Sequence, residues 1–352
     1  GLMNVHVLSG DLTSALSHFA AVGLAAILVD GATHSSHGDH EAKVCWSDDI
    51  PSQPLLFTSL DSEGIADVVH RHAERHTRPL SWVQSRVAAG VRSGGGLFSP
   101  RLKVCPAEEL RAFEVERQMA LATATTSGEV SALDWWMLAG LGEPAWWRYT
   151  AKESQPDAGA SRWEMKTRNR GEEFIAHRLA PLADWLAKRT LEQVWDGLAG
   201  RVVTDELGKN SVTSRTATGF TSPRPTDTAL AWCALWGISL VPTIHRTLAA
   251  SESNGMSQSP GVWPRDRVHP RLAALPVFTS PLSPSRFRSI VSTAWFDVAA
   301  FGHLRAKDDD AIAAKAWLGN QGVRAVVRFP VFVGGSSSAP ERQLLAGEVE
   351  PL

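Results

Sequence analysis

The stretch ALSHFAAVGLAAILV, from Ala15 to Val29, is a strong helix candidate and belongs to a long charge-free run of the chain. Larger apolar residues such as Leu16, Phe19 and Val22 recur at the spacing of one helix face. Alanine and glycine at the positions between them allow a second element to approach closely. The charge-free run from residue 12 to 29 contains serine, threonine, histidine and glycine, which make a poor membrane span. The stretch therefore predicts a buried helix.

Further elements are expected on both sides of this helix. Short β-rich segments lie at 4–8 and 42–47, and helical patterns cover 61–75 and 107–124. The later elements are a helical region with a break or new start at Pro181, an apolar helix and two strands, over 171–198, 227–239, 274–279 and 325–333. Segments 153–160 and 249–264 are expected to be loops. Because strands and helices do not alternate regularly, we expect an α+β fold of mixed helices and short sheets, with a helix-rich second half.

The length of the chain and a change of composition suggest its division. A chain of 352 residues is long for one typical domain, and a tryptophan-rich stretch begins near residue 126. We expect two loosely divided domains, an α+β domain over 1–125 and a Trp-rich domain with basic segments over 126–305. A C-terminal helix and strand segment is expected over 306–352.

Composition excludes several classes of protein. The 35 lysines and arginines against 37 acidic residues give a net charge of −2, which excludes a histone-like protein but not a local basic groove. Hydrophobic residues make up 43%, enough for a core. Cys45, Cys105 and Cys233 form no C-x-x-C pair, so we expect a reducing cytoplasm. No basic segment precedes an apolar run, so neither a signal peptide nor a membrane partner is expected.

A histidine-rich loop offers one route to catalysis. It places four residues of the types that bind zinc close together: His34, His37, Asp39 and His40. This pattern supports an alternative in which the chain is a metal-dependent hydrolase, while a solvated polar loop is the simpler interpretation. His72 and His76 lie one helical turn apart and could also share a metal.

Other catalytic motifs are missing from the sequence. It contains no G-x-S-x-G, and the glycine-rich segment 92–96 lacks the G-K-[ST] of a phosphate-binding loop. These segments therefore give no further support for an enzyme, and no cofactor is expected.

Three basic segments carry the strongest functional signal: RWEMKTRNR at 162–170, GKNSVTSR at 208–215 and VWPRDRVHPR at 262–271. Arginine forks, amides and hydroxyls suit phosphate oxygens, and tryptophan faces suit unpaired bases. The candidate phosphate contacts are Lys166, Arg168, Asn169, Arg170, Lys209, Asn210, Arg215, Arg265, Arg267 and Arg271, and the candidate stacking residues are Trp163 and Trp263. The alternatives are a solvated surface with tryptophan in the core, or a sugar-binding site.

Six short motifs follow one another along the chain: the small-residue helix at 15–24, LDWW at 133–136, KTRNRG at 166–171, GFTSP at 219–223, ALAWCALWG at 229–237 and PLSP at 281–284. In this order they resemble subunits of type I-G (formerly I-U) CRISPR effector complexes that are related to, or replace, the large subunit. LDWW and K-T-x-x-x-G are the most specific of the six. The family carries an aromatic or small residue where Arg168 to Arg170 stand.

The resemblance implies a non-catalytic subunit of a crRNA-guided surveillance complex. Its partners would be the crRNA, the target double-stranded DNA, the other effector-complex subunits and the helicase-nuclease. Such subunits help to read the PAM duplex, while guide pairing supplies sequence specificity and protein contacts the nucleic-acid backbone. The three basic segments are then expected to contact phosphates of guide RNA or target DNA.

Overall fold

The structure is a computed structural model that describes residues 3–34, 41–101, 105–143, 148–149, 154–165, 173–214, 218–245, 257–265, 267–305, 310–336 and 339–352. Helices and small antiparallel sheets occur together, so the expected α+β class is confirmed. Within the described ranges, no helix combines the length and apolarity needed to cross a membrane.

Most of the core is built from helices. They are α1 (Ala15–His34), α2 (Ser62–Arg75), α3 (Ala107–Thr126), α4 (Ala132–Leu141), α5 (Ala180–Ala187), α6 (Leu191–Ala199), α7 (Thr228–Trp236), α8 (Pro284–Val291), α9 (Ala294–Phe301) and α10 (Ala311–Asn320). Their starts follow local sequence signals. Asp61 caps α2 by accepting from the N–H of Gly64, and Asp227 caps α7 by accepting from the N–H of Ala229.

The strands form small antiparallel sheets. They are β1 (Asn4–Val7), β2 (Ala42–Trp46), β3 (Pro54–Thr58), β4 (Arg148–Tyr149), β5 (Ser154–Gln155), β6 (Ile244–His245), β7 (Ser257–Gln258), β8 (Val262–Trp263), β9 (Leu272–Phe278), β10 (Val323–Ser336), β11 (Ala339–Leu344) and β12 (Glu348–Pro351). One sheet has the order β1-β3-β2. Another has the order β11-β10-β9-β8, with β12 also paired to β10.

Helix α1 lies at the centre and packs closely against α7. A Cβ atom on Gly23 would lie only 1.9 Å from the carbonyl oxygen of Cys233, so the two backbones touch without an intervening side chain. Directly after α7, a Cβ on Gly237 would meet the ring of Phe19 at 2.6 Å. The expected buried helix and its close packing are thus confirmed, and the reason is that small residues occur on both helices.

Strand β10 joins different parts of the second sheet. Its first half, from Val323 to Pro330, pairs with β9, and β12 pairs with Ala325 to Arg328. Its second half, from Val331 to Ser336, pairs with β11. β10 is therefore one continuous strand whose first half pairs with β9 and β12 and whose second half forms a hairpin with β11.

Two expectations for the second half of the chain have different outcomes. The expected break or new start at Pro181 is confirmed, since α5 begins at Ala180, and a second break at residues 188–190 precedes α6, which Thr190 caps. Pro181 is tolerated because it lies in the first turn of α5, directly after a π turn at Ile175–Leu179. The segment expected as an irregular connection, 249–264, contains β7 and β8 in its described part.

One set of buried apolar residues spans the expected segments. It includes Phe19 from 1–125, Trp163 and Trp232 from 126–305, and Phe329 from 306–352. The described core is therefore continuous across the composition change near residue 126.

Candidate nucleic-acid interface

The first basic segment begins inside the core. Trp163 is fully buried, its indole N–H donates to the carbonyl oxygen of Pro260 at 2.7 Å, and its ring lies 5.0 Å from that of Phe19. Trp163 is therefore corrected from a stacking platform to a core residue, because its faces are covered by protein. Lys166, Arg168, Asn169 and Arg170 lie outside the described residues.

Buried ion pairs hold the chain immediately before those residues. The Glu164 carboxylate lies 2.6 Å from Nε of Arg101 and 3.1 Å from a guanidinium nitrogen of Arg178. A guanidinium nitrogen of Arg342 lies 3.9 Å from the same carboxylate, and none of these side chains is more than 3% exposed. Buried charges require such partners. Sequence analysis missed this cluster because its members are far apart in the chain.

The second basic segment is a tight turn closed by Asp205. The Asp205 carboxylate accepts from the N–H of Gly208 at 2.7 Å and from the hydroxyl of Ser214 at 2.8 Å. The amide oxygen of Asn210 accepts from the Asp205 N–H at 2.7 Å, so this part of the side chain serves the turn. Lys209 and Asn210 are exposed and have φ values of 53° and 54°. This left-handed conformation is rare outside glycine, and the Asp205 contacts hold it in place.

Only part of the second segment is therefore available to a ligand. Lys209 forms no ion pair with any residue that the structure describes, whereas the Asn210 oxygen is already bonded. Arg215 lies outside the described residues.

The third basic segment divides into paired and unpaired cations. Nε of Arg265 lies 3.0 Å from the carboxylate of Asp297, which also contacts Arg305. Arg267 and Arg271 are exposed, and within the described ranges neither has a carboxylate at ion-pair distance. Arg265 is thus a weaker candidate phosphate contact than its two neighbours, because Asp297 competes for it.

Trp263 remains a candidate for stacking. It is partly buried, pairs with β9 through its backbone and packs against the core, so one part of the ring is still accessible.

Strands β10 and β11 connect the end of the third segment with Gly219. Val331 of β10 donates its N–H to the carbonyl of Arg271 at 3.0 Å and pairs on its other side with Leu344. The N–H of Leu344 in turn donates to the carbonyl of Gly219 at 2.9 Å. Neighbouring strands of a sheet lie about 4.8 Å apart. The three successive spacings, from Arg271 to Val331, to Leu344 and to Gly219, therefore place Arg271 about 15 Å from Gly219. Arg215 is four residues before Gly219.

The first segment reaches the same place through Arg342. Two residues before Leu344 on β11, the Arg342 side chain lies 3.4 Å from the carbonyl oxygen of Met165 and donates to it. It also donates to Nδ1 of His269 in the third segment at 2.9 Å. Strand β11 therefore contacts the first segment at Met165, the third at His269, and Gly219, which follows the second segment by four residues.

The histidine alternatives are placed differently. The side chain of His34 and all of His37, Asp39 and His40 lie outside the described residues. Within the described ranges, no group of three or more potential ligands is positioned to hold a metal. His72 accepts from the indole N–H of Trp232 at 2.9 Å, and the rings of His72 and His76 meet edge to face in the core. This pair is therefore engaged in core contacts.

Sequence analysis also missed a buried Ser–His–Asp arrangement. Nδ1 of His76 lies 2.7 Å from the hydroxyl of Ser81, and Nε2 lies 3.2 Å from the carboxylate of Asp134. Burial lowers the pKa of His76, with Asp134 opposing the effect. Burial acts to raise the pKa of Asp134, but His76 and Arg75 together hold that pKa well below its usual range.

This arrangement serves the fold in the conformation described. The Ser81 side chain is buried, and its oxygen accepts from the N–H of Val83 at the start of a helical turn. Asp134 accepts from the indole N–H of Trp82 and completes the capping box of α4 with Ser131. A nucleophile must reach its substrate, and this hydroxyl is covered.

Comparison with known proteins gives no match: no family model, no curated protein and no solved structure is similar to the chain. The function has to be inferred from the residues described above.

Proposed function

We propose that the chain is a non-catalytic subunit of a crRNA-guided type I CRISPR surveillance complex in the cytoplasm. It contacts the backbone of guide RNA or target DNA and binds neighbouring subunits. The observation that carries the proposal is that β11 contacts Met165 in the first basic segment, His269 in the third, and Gly219, which lies four residues after the second. A basic surface assembled from separate segments suits a phosphate backbone better than isolated surface charges would.

Charge pairing also supports this proposal. Lys209, Arg267 and Arg271 are exposed and, within the described part of the chain, have no carboxylate partner. Lys209 is presented on a turn whose backbone is fixed by Asp205, so little backbone ordering is needed on binding. A near-neutral chain that leaves such cations available can bind an anion locally without binding nucleic acid over its whole surface.

A salt titration tests the proposed contacts. The variant Lys209→Ala/Arg267→Ala/Arg271→Ala should weaken binding of labelled guide RNA equally for all sequences. It should also reduce the slope of log K against log salt by about 2, since each phosphate contact to a single strand contributes about 0.7. Arg111→Ala, an exposed arginine on α3, is the matched control. An unchanged slope in the triple variant would remove these residues from the interface.

Purification with the neighbouring gene products tests the assembly itself. A uniform short RNA that co-elutes with the chain supports the proposed subunit. PAM reading and helicase-nuclease recruitment belong to the same proposal, and they predict loss of PAM-dependent duplex binding and of nuclease docking when the subunit is omitted. A monomer free of nucleic acid that carries stoichiometric metal would instead favour the hydrolase based on the His34–His40 loop.

A further inference from the structure

Helix α4 turns two adjacent tryptophans away from the centre of the core. Leu133, Met137 and Leu138 are buried, whereas Trp135 is 45% exposed and Trp136 is only partly buried. Large aromatic side chains are usually buried because of the apolar area that they carry. An exposed indole beside a second, half-covered one therefore points to a contact surface rather than to packing.

A cation from another helix, Arg288, lies against the second of these two tryptophans. The guanidinium carbon of Arg288 in α8 is 4.9 Å from the centre of the Trp136 ring. Nε of Arg288 has no hydrogen-bond partner among the described residues, and none of their carboxylates lies within ion-pair distance. Burial alone lowers the pKa of Arg288, with no acidic group opposing it. The arginine is thus held against an aromatic face and lacks the anion that usually accompanies a partly buried guanidinium.

The two helices that carry these residues rest on the same rigid support. Both α4 and α8 pack against the helical turn Gly237–Leu240 that follows α7. A Cβ atom on Gly140 of α4 would lie 2.8 Å from the carbonyl oxygen of Ile238, so the backbones are in direct contact. The indole and guanidinium groups are therefore positioned by core elements and not by a loop.

We propose that Trp135, Trp136 and Arg288 form a binding site for single-stranded nucleic acid. A base stacks on the exposed indole of Trp135, and a phosphate approaches the Arg288 guanidinium beside Trp136. This pairing of an aromatic platform with an unneutralised cation suits a ligand that is both aromatic and anionic. The inference rests on the proposed function and adds a second contact region, on helices that none of the three basic segments includes.

Binding of a fluorescein-labelled oligothymidylate, followed by anisotropy, tests the site. Trp135→Ala should weaken binding about 10-fold, within the range measured for loss of one base-stacking contact. Trp135→Phe, which keeps an aromatic face, should recover most of the affinity. Arg288→Ala should reduce the salt slope by about 0.7, the value expected for one phosphate contact to a single strand.

Arg286 provides the matched control. It is exposed on the same helix, two residues earlier, and therefore points about 200° away around the helix axis. Arg286→Ala should leave both affinity and salt slope unchanged. An effect equal to that of Arg288→Ala would show a general charge effect and overturn the site. A thermal melt of each variant shows whether a loss of binding comes from unfolding. Trp135→Leu, which keeps apolar bulk but no aromatic face, takes the place of Trp135→Ala if the alanine variant does not fold.

The outcomes separate this inference from the proposed function. If Trp135→Ala binds oligothymidylate normally while the triple variant at 209, 267 and 271 loses guide RNA, the site is wrong and the proposed function stands. If both variants bind normally, the site is wrong and Lys209, Arg267 and Arg271 are removed from the interface of the proposed function. If Trp135→Ala assembles poorly with the other subunits but binds the oligonucleotide normally, the surface is a protein interface and the inference is overturned.

Discussion

Arg189 and Arg267 belong to two regions that treat positive charge in opposite ways. The Arg189 side chain contacts the carboxylates of Glu206 and Asp227, each at 3.0 Å, and is 6% exposed. Arg267 is exposed and has no carboxylate partner among the described residues. The first arginine is committed to the fold, and the second is available to a ligand. In this chain the pairing of an arginine, and not its presence in a basic stretch, indicates what it can do.

The largest expected effect comes from breaking the paired region. Arg189→Ala leaves Asp227 and Glu206 without their guanidinium, and it also removes the bond to the carbonyl oxygen of Thr204. Removing one partner of a buried pair costs about 3–5 kcal/mol. Urea denaturation should show a loss of this size in the free energy of unfolding. A loss below about 1 kcal/mol would mean that Arg189 behaves like an ordinary surface charge.

Acidification should lower the free energy of unfolding because His18, another ionisable group, is buried. Burial lowers the pKa of His18 to about 4, with its bond to the carbonyl of Leu12 and the charge of Asp11 opposing the shift. The unfolded chain therefore binds a proton more readily, and stability is lost as the pH falls from about 6.5 towards 4. The loss is about 2 kcal/mol between pH 7 and pH 5 and about 3 kcal/mol by pH 4.

Denaturation of His18→Gln over the same range gives the comparison. The variant should lose less stability on acidification than the parent by these amounts, because the buried titrating group is gone. Parallel curves for the two proteins would show that His18 is protonated equally well in the folded state.

A smaller effect is expected when Arg265 and Arg305 lose their shared carboxylate partner. Asp297→Asn removes the carboxylate that contacts Arg265 and Arg305, so both guanidinium groups become free to approach phosphate. We expect guide RNA to bind about threefold more tightly, the scale of one partly exposed ion pair. The control is Asp196→Asn, which removes the carboxylate from the exposed ion pair between Asp196 and Arg201. It should leave RNA affinity unchanged. Weaker binding by Asp297→Asn would mean that Asp297 positions Arg265 for the ligand.

The smallest effect is expected where an ion pair is exposed. Arg201 is 68% exposed and lies 3.7 Å from the Asp196 carboxylate. Since solvent screens such pairs, Arg201→Ala should change the free energy of unfolding by less than about 0.5 kcal/mol. A cost close to that of Arg189→Ala would remove the distinction between the two kinds of arginine.

Local signals in the sequence predicted much of the fold. The small-residue helix α1 and the caps at Asp61 and Asp227 are readable because each depends on residues only a few positions away. Pro181 is readable for the same reason, because it lies in the first turn of α5, although the π turn before it was not predicted.

The candidate site was harder to predict. Trp163 and Trp135 are the same residue type, but Phe19 and Pro260 cover the first while the second remains exposed. The Glu164 cluster and the contacts of β11 join residues far apart in the chain. Such pairings depend on the tertiary fold, which a single sequence does not display.

The contact between α1 and α7 has a consequence for synthesis of the chain. Helix α1 leaves the ribosome roughly 190 residues before α7, which at about 5–20 residues per second is about 10–40 s. During that interval the apolar surface around Gly23 has no native partner to cover it. The nascent amino-terminal region therefore depends on transient shielding, by its own collapsed chain or by a chaperone, until Gly237 has been added.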